Sequence, residues 1–131
     1  MCLYTKQRFP REAKEDIHCF KVLKRNKNSK IFWAPVQKKM YRQDKEYKTI
    51  IVRHGEHVNQ GFHSCLIMER AIVTGLRYAS RETLKTYDMC ILDAIIPAGS
   101  LYYIGKNDEI VSNRIIIKDV KKQLHLCNMF F

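Results

Sequence analysis

Gly61-Phe62-His63-Ser64-Cys65 opens the block that decides the architecture of this chain. A helical pattern follows it. Next come Ile95-Ile96-Pro97-Ala98-Gly99-Ser100-Leu101-Tyr102-Tyr103-Ile104-Gly105 and Glu109-Ile110-Val111-Ser112-Asn113-Arg114-Ile115-Ile116-Ile117. Over Leu66 to Ala79, Met68, Ile72, Leu76 and Ala79 fall on one stripe, flanked by Ile67, Ala71 and Gly75. Glu69, Arg70, Thr74 and Arg77 fall mainly opposite, the spacing of an amphipathic helix. Ser64 is placed to cap that helix, since its hydroxyl can accept from a free backbone N–H. Gly75 costs about 1 kcal/mol relative to Ala in a helix, which points to close packing on a sheet.

Strands are expected on either side. His18 to Lys24 alternates, with Phe20 and Val22 on one face and Lys21 and Leu23 on the other. Arg25 to Lys30 reads as a turn, and Ile31 to Ala34 as a returning strand stopped by Pro35. Lys45 to Arg53 reads as another strand, and His54 to Gly61 as a polar loop. Cys90-Ile91-Leu92-Asp93-Ala94-Ile95-Ile96 reads as a buried strand, Leu101 to Ile104 as a further strand, and Glu109 to Lys118 as the last. Residues 1–16 form an irregular or helical lead-in. The expected fold is α+β: a compact single domain over 1–131, a twisted, mostly antiparallel sheet pair and one principal helix. An apolar tail over 119–131 packs on the domain or on a second copy in a homodimer.

Size and charge bound the function. A chain of 131 residues is long enough to bury its own core. No apolar run approaches the roughly 20 residues that cross a bilayer, and the N-terminus has no apolar leader pattern. Five widely spaced cysteines without a Cys-x-x-Cys pair suit a reduced, cytoplasmic protein. The net charge is +11, and residues 1–48 carry 14 Lys/Arg against 5 Asp/Glu. Such a field attracts phosphate, in a nucleotide, a nucleic acid or an acidic protein.

Several motifs invite chemistry. His54, His57, His63 and Cys65 are zinc-ligand types, but their spacing fits no zinc module, so no metal and no cofactor is expected. Cys65 near His57 and His63 has the makings of a thiol nucleophile; beside an apolar helix it reads better as core. Phe20, Phe32, Trp33, Tyr41 and Tyr47 interleave with Lys21, Lys30, Lys38, Lys39, Arg42 and Lys48, a composition suited to bases and phosphates. In Tyr102-Tyr103 one ring faces inward and the other outward.

The block from Gly61 to Ile117 resembles a family of small uncharacterised proteins of bacteriophages and gut bacteria, with a Gly-Phe-His-Ser/Ala-Cys start, an Ile-Pro-x-Gly-Ser-x-Tyr-Tyr-x-Gly segment and a Val-Ser-Asn-x-Ile strand. The resemblance covers about residues 18–118. More distantly, the order of elements is similar to mono-ADP-ribosyltransferases. Where that fold carries its catalytic glutamate this chain has Ser112 and Asn113, which lack the charge to stabilise an oxocarbenium-like centre. The resemblance therefore implies a degenerate ADP-ribosyltransferase-like fold that binds a nucleotide-like, phosphate-bearing molecule without turning it over, as a phage protein sequestering an NAD- or ADP-ribose-derived immune signal would. The implied contacts are Arg53 on phosphate, His57 nearby, His63 and Ser64 on ribose or phosphate, Tyr102 stacking on a ring and Asn113 on a polar edge. A nucleic-acid-binding or host-protein-binding accessory protein would instead use Lys38, Lys39 and Arg42. A transferase would need Glu109 as a displaced glutamate.

Overall fold

The computed structural model describes residues 3–27, 29–35 and 38–124. In chain order, β1 (Leu3–Tyr4) and β2 (Arg11–Glu12) precede the long β3 (Ile17–Asn26). Next come β4 (Phe32–Trp33), β5 (Met40–Tyr41), β6 (Glu46–Lys48), β7 (Val52–His54), β8 (His57–Gln60) and β9 (Phe62–Cys65). Helices α1 (Met68–Tyr78) and α2 (Arg81–Thr86) lead into β10 (Tyr87–Ile96) and β11 (Leu101–Ile104). A 3-10 turn (Lys106–Asp108), β12 (Glu109–Ser112) and β13 (Arg114–Leu124) complete the set.

The larger sheet runs β2-β11-β12-β9-β3-β10-β13-β6, with β4 and β5 attached beside β3. A smaller sheet, β1-β8-β7, is not hydrogen-bonded to it and packs on it through Leu3, Val58, Tyr103 and Val111. The recorded pairings are all antiparallel. The expected antiparallel sheet pair is present, but strands take 51% and helices 17% of the structure, so it is more β-rich than an α+β domain.

The centre is β10 paired with β3 over ten residues, from Tyr87 opposite Asn26 to Ile96 opposite Ile17. Met89, Cys90, Ile91 and Leu92 are all fully buried, so β10 is covered on both faces. That is why its sequence is mostly apolar, with Asp88 and Asp93 held by Arg25 and Lys121. One face meets Cys19, Leu23, Phe32, Phe62, Ile110, Ile115 and Ile117 in the main core. The other carries α1 and α2 through Val22, Cys65, Ala71, Leu84, Met89, Ile91 and Leu124. Each fully buried Ile or Leu contributes roughly 2 kcal/mol of transfer free energy.

Helix α1 forms where its spacing predicts, yet its buried side is rotated. Ala71, Thr74 and Gly75 are the buried residues, so Thr74 belongs to the inner face and not the polar one. Gly75 explains the rotation. A β-carbon there would meet Leu124 Cδ1 at 2.6 Å and Val22 Cγ1 at 3.7 Å, so the glycine lets the helix lie directly on β13 and β3. Ser64 does not cap α1. It lies inside β9, and the cap position is Ile67 without a side-chain bond. Ser80 caps α2 instead, its Oγ accepting from Thr83 N at 3.1 Å.

Four further expectations are corrected. The lead-in holds two strands, because β1 pairs with β8 and β2 with β11. The stretch from His54 to Gly61 is largely a β-hairpin arm, turned at Gly55 (φ 59°). Lys45 to Arg53 is split between the two sheets. Glu109 to Lys118 breaks at Asn113, whose Oδ1 accepts from Leu101 N (2.8 Å) while its own N–H donates to Leu101 O (3.0 Å). Asn113 thus leaves the ladder, and β13 crosses to pair with β10 and β6. Of the expected tail, 119–124 is the end of β13, and 125–131 lies outside the described residues.

Candidate functional site around Lys21

Strand alternation puts Lys21 on the same face of β3 as Cys19 and Leu23, opposite Leu92 in register. That face points into the main core. Lys21 is therefore only 7% exposed, a costly place for an ammonium. Its Nζ donates to the carbonyl of His63 at 2.5 Å and lies 5.6 Å from the Tyr41 ring centroid. Burial pushes the Lys21 amine down to about 8, and the neighbouring Lys39 charge adds to the effect.

The amine faces a cavity of ≈ 70 Å³ between β3, β5, β9 and α1. A cavity water needs roughly 10–15 Å³ by this measure, so the space takes about five waters, or a phosphate-sized group. None of its lining side chains among the described residues is a carboxylate. The nearest in the neighbouring crevice is Glu109, already held by Arg70 at 3.4 Å. Lys39 stands at the rim, with Nζ 4.0 Å from the Phe62 ring centroid and 5.7 Å from that of Tyr41. Its amine is also lowered by burial. Aromatic faces here replace the anionic partner that two cations would otherwise seek.

The remaining polar groups are of two kinds. Ser64 is buried, and its Oγ finds no hydrogen-bond partner among the described residues. The Cys19 thiol lies close enough for that hydroxyl to ease its ionisation, yet burial still pushes it up to about 12. That thiol is a weak acceptor and the hydroxyl makes no other hydrogen bond among the described residues, so it remains free to turn toward an acceptor in the cavity. The Cys65 thiol is raised by burial and shares a 3.7 Å contact with Thr74 Oγ1; it is packed, not poised as a nucleophile.

His63 also borders the cavity. Its ring nitrogens face backbone oxygens: Nδ1 is 3.2 Å from Gly61 O and Nε2 is 3.3 Å from Val58 O. Burial, then the Lys21 charge, pushes its imidazole down to about 4. The neutral ring has one N–H, so one of the two contacts lacks a proton. Desolvation beside a lysine outweighs that second bond.

The structure gathers His63 and Ser64 of the expected contacts, with Lys39 of the basic patch. The others lie elsewhere. Arg53 donates through Nη1 to Arg8 O (2.6 Å) and sits over Tyr103. His57 is exposed and edge-on to Tyr4. Tyr102 packs half-buried on the main core, Tyr103 being the ring that fills the small core under β1 and β8. Asn113 is engaged with Leu101. Lys38 and Arg42 are exposed, the Arg42 N–H donating to Tyr47 Oη. Among the described residues no three metal-ligand types converge, and no helix is long and apolar enough to cross a membrane.

A broader groove of ≈ 420 Å³ runs along Tyr4, Lys6, Arg11 and Lys106. Its uncharged polar groups are already spent: Thr5 Oγ1 donates to Ile104 O, and Gln7 bonds Phe9, Tyr102 and Ile104. The Lys21 cavity differs in being lined by a buried lysine and a buried serine hydroxyl. Lys21 itself was missed among the expected contacts, although its signal was present: a lysine on the same strand face as Cys19 and Leu23. No protein-family model, curated protein or solved structure matches this chain.

Proposed function

We propose that the cavity around Lys21 binds the phosphate-bearing end of a small, nucleotide-like molecule and does not turn it over. The observation behind this reading is the convergence of two amines and an unpartnered buried hydroxyl on a cavity with no lining carboxylate. An anion there meets Lys39 at the mouth and Lys21 and Ser64 inside, each a charge-assisted or unspent donor. The size narrows the mode of binding. About 70 Å³ is well below the several hundred Å³ that enclose a whole ligand, so a nucleoside remainder lies outside, along the rim near Tyr78 and Pro35. Sequestration of an NAD- or ADP-ribose-derived signal is the sharpest form of the proposal, and a degenerate ADP-ribosyltransferase-like ancestry its matching fold reading. The Arg70 pairing of Glu109 favours binding over group transfer.

A thermal-shift panel of inorganic phosphate, AMP, NAD and ADP-ribose tests it. At a hundredfold excess over Kd, a ligand stabilises by about 2.7 kcal/mol, roughly 10 °C for a chain of this size. No shift with any of the four refutes the proposal.

A further inference from the structure

Two amines over one aromatic ring offer more than charge. Lys21 is buried among Phe20, Val22 and Tyr41, has no carboxylate partner, and abuts a cation-bearing neighbour at the cavity mouth. A desolvated lysine next to a second cationic group is how an amine becomes a nucleophile at neutral pH. Resting on the phosphate-binding reading above, we infer that the ligand also carries a free aldehyde or ketone, and that Lys21 captures it as a reversible imine while Lys39 holds the phosphate.

The step balances without any oxidant or reductant. The Lys21 lone pair attacks the carbonyl carbon, and the amine's proton passes to the oxygen, giving a carbinolamine. The C–O bond then breaks as a second proton reaches that oxygen, and water leaves. The Lys39 ammonium at the mouth is the proton donor of the right charge, and it recovers its proton from solvent. The product is a protonated C=N bond. Its one remaining N–H donates to the His63 carbonyl, the acceptor that Lys21 uses in the free protein. The Ser64 hydroxyl, with only the weakly accepting Cys19 thiol beside it beforehand, is available to the carbonyl oxygen before it departs. The cavity admits only a few heavy atoms, so the carbonyl must lie within a short carbon chain of the phosphate, as in an open-chain sugar phosphate.

The experiment uses the full chain, glyceraldehyde 3-phosphate and cyanoborohydride at pH 7, read by intact mass and peptide mapping. Reduction fixes the imine as a secondary amine, so the mass rises by that of the probe less one oxygen atom. With its amine at about 8 against about 10.4 for an ordinary lysine, Lys21 holds on the order of a hundredfold more free amine at pH 7. Trapping at Lys21 is therefore expected to outpace trapping at the exposed Lys14, by less than that factor because the bound phosphate favours the charged amine. Glycerol 3-phosphate, which lacks the carbonyl, should slow trapping at Lys21 and not at Lys14. Equal labelling of Lys21 and Lys14, or Lys21 labelling indifferent to glycerol 3-phosphate, overturns the inference. No adduct at Lys21 while glycerol 3-phosphate still raises Tm overturns the imine alone. Neither adduct nor stabilisation by any phosphate compound overturns both readings.

Discussion

Replacing Lys21 with Met should stabilise this protein at neutral pH, and the gain should vanish in alkali. The buried amine titrates near 8 in the folded chain against an ordinary value of 10.5. Below pH 8 it is charged both folded and unfolded, so folding bears the whole penalty, about 3 kcal/mol at 1.36 kcal/mol per pKa unit. Lys21→Met removes that penalty and keeps the side-chain length. It forfeits the bond to the His63 carbonyl, which contributes about 1 kcal/mol. The net gain at pH 7 is about 2 kcal/mol, or roughly 8 °C in Tm. The sign of the pH dependence follows from linkage. Between pH 8 and 10.5 the unfolded lysine still holds its proton and the folded one does not, so wild-type stability rises through that window relative to the variant. Above pH 10.5 the advantage should be gone, leaving wild type ahead by the hydrogen bond. Urea unfolding of both proteins at pH 7, 9 and 10.5 measures this. A variant less stable than wild type at pH 7, or a difference constant across the series, refutes the burial argument. A stabilising loss of this kind is expected where a residue is kept for binding and not for the fold.

His63 gives the acid counterpart: its imidazole titrates near 4 folded against 6.5 ordinarily, so the unfolded chain takes up the proton first as pH falls. Stability should drop by about 3 kcal/mol between pH 6.5 and 4, and His63→Gln should flatten that part of the urea-derived pH profile. Gly61 sits at φ 140°, where a β-carbon would overlap Val111 Cγ1; Gly61→Ala should cost at least about 2 kcal/mol from backbone strain and overpacking, seen as a lower urea midpoint. The two basic readings separate by mutation. Lys39→Met should weaken phosphate-ligand binding at least about tenfold, the scale of one charged hydrogen bond, while Lys38→Ala with Arg42→Ala leaves it unchanged. Nucleic-acid binding with a steep salt dependence, lost on changing Lys38 and Arg42, would favour the basic-patch reading instead.

The parts of the fold legible in the sequence are those with one dominant signal. The run from Cys90 to Ile96 reads as a buried strand because β3 and β13 flank it in the sheet while the main core covers one face and the two helices the other. Helix α1 declares itself by period, although Gly75 turns its buried side toward Thr74 in a way that hydropathy does not carry. The short strands were illegible because two residues of pairing leave no periodic trace: β1 and β2 exist only through partners more than fifty residues away. Asn113 looks like a contact residue by type, but its amide is spent breaking Glu109 to Lys118 into two strands. The site was legible in half. His63 and Ser64 stood out in the Gly61 to Cys65 corner. Lys21 was hidden by the habit of reading lysine as solvent-facing; Cys19 and Leu23 on its own face of β3 and Val22 on the other are all buried, so both faces of the strand are inside.

NMR titration of the lysine side chains tests the central claim most directly. The free protein should show one lysine, removed by Lys21→Met, titrating near 8. A bound phosphate favours the charged amine and should raise that value by at least one unit. A Lys21 resonance that titrates at about 10.4 like an ordinary lysine, or one near 8 that no phosphate ligand moves, would contradict the account.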